Sequence, residues 1–140
     1  MRFWDASAII PIVVAEPASE VLHGLADEDP AVVMWWATTV EALSGLHRKV
    51  REGELSAAYL APAEDRLWAF LEDAHVMAPS GPLRDRAHRL LAVHPLRAAD
   101  ALQLAAALAW AEERPMGLEL VTLDDRLRDA AMREGFSVLP

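Results

Sequence analysis

The most constraining stretch of the sequence is LRAADALQLAAALAW, from Leu96 to Trp110. Residues 98–111 are almost wholly apolar and consist largely of Ala and Leu, which are strong helix formers. A helix that is apolar on every side is buried in the core of a domain rather than laid on its surface. Asp100 and Gln103 are its only polar side chains. Asp100 falls in the first turn, where a carboxylate either compensates the helix N-terminus or takes part in a site.

Length and composition predict one folded domain covering residues 1–140. The chain is 54% hydrophobic and has only 6 glycines, which provides apolar material for a core and excludes a disordered chain. There is no cysteine, so disulfides and zinc–cysteine sites are excluded. This is compatible with a reducing cytoplasm, which is the expected location. Asp5 interrupts the N-terminus before any apolar run begins, and no run is long enough to span a bilayer, so no membrane partner is expected.

The charge balance is strongly acidic. The net charge is −9, with a single lysine among 13 basic residues. A protein that grips nucleic acid by bulk positive charge does not have this composition. The acidity instead fits a surface for a basic partner or a group of carboxylates around a cation.

The remainder of the chain alternates short strands with helices. Residues 31–36 (AVVMWW) form an apolar run without polar alternation, which is typical of a strand buried on both faces of a parallel sheet. The alternation predicts a three-layer α/β/α domain with a mostly parallel central sheet. The predicted strands are residues 2–5, 31–36, 75–78, 118–122 and 136–139. The predicted helices are residues 8–15 with Ser7 as cap, 19–26, a helix capped by Thr38 or Thr39 and running to about Arg51, 55–74, 82–93, 98–111 and 124–134.

Four acidic residues occupy equivalent places in this pattern. Asp5 ends the first strand, Glu41 opens the helix after the second, Asp100 opens the helix before the fourth, and Asp124 follows the fourth strand. The functional crevice of a parallel sheet lies at the carboxyl ends of its strands, so these side chains are expected to converge there. Without a counter-charge they would repel one another. Oxygen ligands of this kind suit Mg²⁺ or Mn²⁺, and such a cation in turn binds phosphate.

Four segments carry a resemblance to a known family: FWDASAII, TTVEALSGLHRK, HPLRAADALQLAAAL and VTLDDRLRDAAMREGF. They resemble the PIN-domain ribonucleases, and within them the toxins of VapBC toxin–antitoxin pairs, over essentially the whole chain. The third segment is the most specific of the four. The resemblance implies a metal site made by four acids and supported by two hydroxyl side chains. The acids are Asp5, Glu41, Asp100 and Asp124, and the hydroxyl residues are Ser7 and Thr122.

The resemblance also implies an activity and partners. The activity is Mg²⁺- or Mn²⁺-dependent endonucleolytic cleavage of structured RNA such as tRNA or rRNA, leaving a 5′-phosphate and a 3′-hydroxyl. The partners are the RNA, a cognate antitoxin protein and a second copy of the chain in a homodimer. The alternative is a catalytically inactive PIN-like module that only binds, and a metal titration separates the two. Gly-rich phosphate loops and dinucleotide-binding motifs are absent from the sequence.

The fourth acid is part of a doublet, Asp124-Asp125. Helical neighbours lie three or four residues apart, so Asp124 shares a face with Leu127, which is expected to pack on the sheet together with Ala130 and Ala131. Asp125 precedes the solvated residues of the helix. The spacing therefore predicts that Asp124 is the ligand and that Asp125 compensates the helix dipole.

Several other residues have less distinctive patterns. The five histidines share no metal-ligand spacing and are interpreted as packing or surface residues. Trp35 and Trp36 are neighbours on a strand and are expected to fill the core from opposite faces. For the arginines of the fifth predicted helix, phosphate contact near the crevice and a solvated face remain equally open; they are Arg84, Arg86 and Arg89.

Overall fold

Five short parallel strands form the centre of the protein in a computed structural model that describes all 140 residues. Their order across the sheet is β3-β2-β1-β4-β5, and every neighbouring pair is parallel. The strands are β1 (Arg2–Trp4), β2 (Val32–Trp35), β3 (His75–Met77), β4 (Glu119–Val121) and β5 (Ser137–Leu139). The helices are α1 (Ala6–Val13), α2 (Ser19–Glu28), α3 (Thr38–Arg51), α4 (Leu60–Leu71), α5 (Gly81–Val93), α6 (Ala98–Trp110) and α7 (Asp125–Glu134), with a 3-10 turn at Ala57–Tyr59.

The two faces of the sheet each pack against a layer of helices. Consecutive strand residues point to opposite faces, and the central strand shows this directly. Phe3 is buried in a cluster with apolar residues of α5, α6 and α7, whereas Trp4 is buried in a cluster with α1, α2, α3 and α4. The predicted three-layer α/β/α architecture with a parallel sheet is thus confirmed. None of the helices has both the length and the apolar character needed to cross a bilayer.

The core helix predicted from the sequence is α6. Seven of its residues are buried, and Leu104 and Leu108 are 0% and 1% exposed. Gln103 is buried among them with 1% exposure. A buried polar side chain needs hydrogen-bond partners, so its position in the core already points to a specific role.

Two predicted helix caps are wrong. α1 begins at Ala6 rather than residue 8, and Asp5 is its N-cap because the Asp5 carboxylate accepts the N–H of Ser7. α3 has Ala37 as its N-cap residue with no side-chain cap. Ala37 already has a helical backbone conformation, so Thr38 lies inside the first turn and its side chain is buried instead of capping.

The prediction for Trp36 is also wrong. Trp35 is 4% exposed, as expected of a core residue, but Trp36 is 58% exposed. β2 ends at Trp35, so the alternation of the strand no longer directs the next side chain into a helix layer. Trp36 instead lies at the carboxyl edge of the sheet, where its ring packs edge to face against Trp35 with ring centroids 6.4 Å apart.

The burial of α6 leads to a prediction about the stability of the fold. Leu104→Ala removes a fully buried side chain and leaves a cavity, which should lower the free energy of unfolding by about 2–5 kcal/mol. Leu91→Ala makes the same chemical change on α5 at a side chain that is 43% exposed, and should cost less than about 0.5 kcal/mol. Urea denaturation followed by circular dichroism measures both. Equal losses in the two variants would contradict the assignment of α6 as the core helix.

Candidate functional site

A cavity of about 400 Å³ lies at the carboxyl edge of the sheet, between α1 and α3. All four predicted acidic residues line it. Each comes from a different point of the fold: one follows β1, one lies in the first turn of α3, one in the first turn of α6, and one between β4 and α7. In that order they are Asp5, Glu41, Asp100 and Asp124. Parallel strands end at a common edge, which brings together residues far apart in sequence.

Asp5 is the buried member of this group, with 6% exposure. Its Oδ2 atom accepts three hydrogen bonds, from the Ser7 N–H at 3.1 Å, the Ser7 hydroxyl at 2.5 Å and the Thr122 hydroxyl at 3.0 Å. Its Oδ1 atom accepts one, from the Gln103 amide nitrogen at 2.8 Å. Burial raises the pKa of Asp5, although the hydrogen bonds from Ser7 and Thr122 act in the opposite direction. The carboxylate is therefore fixed in one orientation by α1, α6 and the end of β4.

Glu41 shows the combined effects of burial and of like charges close together. Its pKa is raised to about 7, first by partial burial and then by the negative charge of Asp5, with a smaller contribution from Asp100. A hydrogen bond from Gln103 opposes the rise. None of the four acids forms an ion pair within the chain. The cavity therefore has negative charge that the protein itself does not neutralise.

Asp100 and Asp124 both accept backbone hydrogen bonds at the N-terminus of a helix and also line the cavity. Asp100 accepts a hydrogen bond from the backbone N–H of Arg97 at 3.1 Å and lines the cavity. The same residue therefore compensates the helix N-terminus and belongs to the site. Asp124 is the N-cap of α7, and its Oδ1 accepts the N–H groups of Arg126 and Leu127, both at 2.9 Å. Its Oδ2 atom accepts no hydrogen bond. Asp125 is exposed and does not line the cavity.

The inward face of α7 agrees with the predicted spacing, since its buried residues are Leu127, Ala130 and Ala131.

The acids do not form a closed ligand set in this conformation. No three histidine, aspartate or glutamate side chains are positioned together to hold a metal ion. The site is better described as an acidic cavity with one rigid carboxylate, Asp5, and three others around it.

One arginine lines the acidic cavity, whereas the arginines of α5 do not. Arg48 of α3 is the single basic residue that lines the cavity, and it forms no ion pair. Arg84, Arg86 and Arg89 do not line it, and Arg86 pairs with Glu113. The structure thus favours a solvated face over phosphate contact in the crevice for the arginines of α5.

The histidines are packing or surface residues, as predicted. Four of the five are exposed. His94 is buried and its Nε2 lies 2.7 Å from a carboxylate oxygen of Glu134. None of them lines the acidic cavity.

Two residues of the site were missed by the sequence analysis. Gln103 contacts Asp5, and Thr38 donates a hydrogen bond to the Gln103 side-chain oxygen at 3.3 Å. A signal for Gln103 was present, because it is one turn from Asp100 on a helix with no other polar side chain. Nothing in the sequence around Thr38 distinguishes a buried donor from a helix cap.

A larger cavity of about 600 Å³ lies beyond the C-terminal end of α1, bordered by the end of α3. Its basic residue Lys49 is already paired with Glu16 at 2.5 Å and with Glu54 at 3.0 Å. Arg66 donates to the backbone oxygen of Val13. The charge of Lys49 is thus neutralised within the protein and the Arg66 side chain is already hydrogen-bonded, so the smaller acidic cavity is the stronger candidate for a reaction site.

Comparison with proteins of known sequence identifies the family. A family model described as the PIN domain matches residues 2–132. Two proteins of Mycobacterium tuberculosis, Ribonuclease VapC45 and Ribonuclease VapC49, are each 30% identical over 141 residues, covering 99% of this chain and 94% of each relative.

Solved structures with the same fold have lower identity. FitAcB from Neisseria gonorrhoeae has a TM-score of 0.69 at 16% identity, covering 100% of this chain and 97% of that one. A toxin–antitoxin complex from Klebsiella pneumoniae gives 0.67 at 18%, with coverage of 100% and 97%. PAE2754 from Pyrobaculum aerophilum gives 0.65 at 23%, with coverage of 98% and 87%. The family match spans nearly the whole chain and the fold agrees with it, so this protein belongs to the PIN-domain family.

Proposed function

We propose that this protein is a metal-dependent endoribonuclease and the toxin component of a type II toxin–antitoxin pair. The observation that carries the proposal is the convergence of four carboxylates, none of them ion-paired, on one cavity at the carboxyl edge of the sheet. Family membership and the names of the relatives, both ribonucleases, support it. Structured RNA such as tRNA or rRNA is the proposed substrate, and the cytoplasm the proposed location.

A divalent cation fits the donors of this cavity. Mg²⁺ and Mn²⁺ take oxygen ligands, and a cation would neutralise the negative charge of Asp5, which together with partial burial, the larger cause, raises the pKa of Glu41. Mg²⁺ is usually held by one or two carboxylates, with waters and substrate phosphates completing its shell, so a preformed group of three ligands is not required. The proposed ligands are Asp5, Glu41, Asp100 and Asp124. When bound, the cation polarises the phosphodiester and lowers the pKa of the attacking water.

The side chains of the cavity have distinct tasks in this mechanism. Asp5 supplies a carboxylate whose orientation is fixed before anything binds. Glu41, with its pKa near 7, releases its proton when positive charge enters the cavity. Arg48 has no partner within the protein and is placed to hold an RNA phosphate, because a guanidinium binds phosphate through two parallel hydrogen bonds.

The proposed antitoxin partner follows from the same charges. An antitoxin that inserts an arginine into the cavity would compete with the cation for the carboxylate oxygens. The net charge of −9 supports a basic partner of this kind. A homodimer is also proposed, because two exposed apolar side chains, Trp36 at 58% exposure and Val40 at 63%, offer surface for a second copy.

The test of the proposal is RNA cleavage by the wild type and by Asp100→Asn, each with and without Mg²⁺. Asparagine can still accept the Arg97 N–H, so the fold should remain while the anionic ligand is lost. We expect the wild type to cleave only with Mg²⁺ and the variant to be inactive. Asp129→Asn, an exposed change on α7, is the control and should cleave as the wild type does. Metal-independent cleavage of equal rate by all three proteins would overturn the nuclease proposal, and inactivity of the wild type with Mg²⁺ would favour the binding module.

The Asp124-Asp125 doublet at the start of α7 gives a further prediction. Asn is as good an N-cap as Asp, so Asp124→Asn should keep the hydrogen bonds to Arg126 and Leu127 but lose RNA cleavage. Asp125→Asn should keep cleavage and lose at most about 1 kcal/mol of stability, because only the helix dipole is affected. Cleavage assays and thermal melts on both variants decide it. Activity that disappears with Asp125→Asn and survives Asp124→Asn would place the ligand one residue later.

The raised pKa of Glu41 predicts a pH-dependent stability in metal-free protein. The folded-state pKa, about 7, lies above the ordinary value of 4.5, so ionisation of Glu41 destabilises the fold as the pH rises through that interval. Glu41→Gln has no such ionisation. It should match the wild type near pH 4.5 and be more stable at pH 8 by about 1–2 kcal/mol, allowing for solvent screening of this partly exposed group.

The measurement is urea denaturation in EDTA at both pH values. Glu112→Gln, an exposed change in the loop after α6, is the control for a Glu-to-Gln substitution outside the cavity. A stability gap between Glu41→Gln and the wild type that is the same at pH 4.5 and pH 8 would contradict the raised pKa of Glu41.

A further inference from the structure

We infer that Gln103 is a positioning residue that presents one oxygen of Asp5, Oδ1, to the metal. The inference rests on the proposed function, because it assumes that Asp5 is a metal ligand. It goes further by assigning the ligating atom and the side chain that selects it. Gln103 is not one of the four acids, and the sequence did not predict it as a site residue.

The hydrogen bonds of Asp5 are unequally divided between its oxygens. Oδ2 accepts the Ser7 N–H, the Ser7 hydroxyl and the Thr122 hydroxyl. A carboxylate has about four lone-pair sites on its two oxygens, so three donors fill the capacity of Oδ2. Oδ1 has one donor, the Gln103 amide at 2.8 Å. The lone pair that remains for a cation therefore belongs to Oδ1.

Gln103 is itself held in place from the opposite side. It is 1% exposed within α6, and its side-chain oxygen accepts the hydroxyl of Thr38 at 3.3 Å. This contact fixes which end of the amide faces Asp5, because a reversed amide would set its oxygen against the carboxylate. The chain Thr38–Gln103–Asp5 thus links the first turn of α3 to the end of β1 through the core helix.

The same amide also acts on Glu41. One hydrogen of the NH₂ group is donated to Asp5, and the same amide lowers the pKa of Glu41 against the larger effects of burial and of the Asp5 charge. One neutral donor group therefore favours the ionised form of two carboxylates that repel each other. Such outer partners of metal ligands typically account for 10–100-fold in metal affinity.

The test compares Mn²⁺ binding to two full-length variants that carry the same new residue at adjacent, fully buried positions. Gln103→Met removes the amide while keeping the length of the side chain, and Leu104→Met controls for a methionine in the core of α6. Calorimetric titration of metal-stripped protein should show Mn²⁺ affinity 10–100-fold weaker for Gln103→Met and unchanged for Leu104→Met. RNA cleavage by Gln103→Met should need correspondingly more Mn²⁺ and recover when the metal is saturating, because the ligands remain.

Affinity of Gln103→Met within twofold of the wild type would overturn the inference while leaving the proposed function intact. A wild type that binds no Mn²⁺ and cleaves no RNA would instead overturn the proposed function. If Gln103→Met does not fold, Thr38→Val and Thr38→Ser decide the question. Loss of the hydroxyl in Thr38→Val should weaken Mn²⁺ binding more than Thr38→Ser does, and equal affinity of these two variants would contradict the positioning role.

Discussion

The fold depends on the accommodation of one buried carboxylate, that of Asp5. A charge removed from water is stable only when hydrogen bonds replace its hydration. Asp5 receives these from α1, from α6 and from Thr122 at the end of β4. The network continues through the backbone, because the Leu123 N–H donates to the Ser7 hydroxyl at 2.9 Å and the Asp124 N–H to the Thr122 hydroxyl at 3.1 Å. The interactions that solvate Asp5 therefore also fix the chain that leads into α7.

Much of this architecture could be predicted from the sequence because its signals are local. An alanine- and leucine-rich helix has to be buried, and an apolar strand without alternation needs helices on both sides. The positions of Asp5, Glu41, Asp100 and Asp124 relative to strand ends then place them at one edge of the sheet. Even the side of α7 that faces the sheet follows from the spacing of Leu127, Ala130 and Ala131. These conclusions need periodicity and strand order but no knowledge of individual contacts.

The features of the structure that the sequence did not predict depend on contacts between distant segments. Thr38 has the chemistry of a helix cap, yet its hydroxyl binds Gln103, 65 residues away. Ser7 was expected to cap α1, but Asp5 does so, because the helix starts immediately after β1. Trp36 belongs to an unbroken apolar run, and only the end of β2 at Trp35 leaves its ring in solvent. Each of these outcomes is set by where one element stops against another, which a single sequence does not encode locally.

The order of the strands has a consequence for biosynthesis. β1 is made first but lies between β2 and β4, and the Asp5 N–H binds the Val121 carbonyl oxygen. A nascent chain that has not yet released β4 from the ribosome lacks one neighbour of its central strand, the Thr122 hydroxyl and the carboxylate of Asp124. Domains fold as units during synthesis, so the acidic cavity is completed only when nearly the whole chain has emerged. Under the proposed function, in which the enzyme attacks RNA of the cell that makes it, the topology itself delays the appearance of activity until translation of the chain is almost finished.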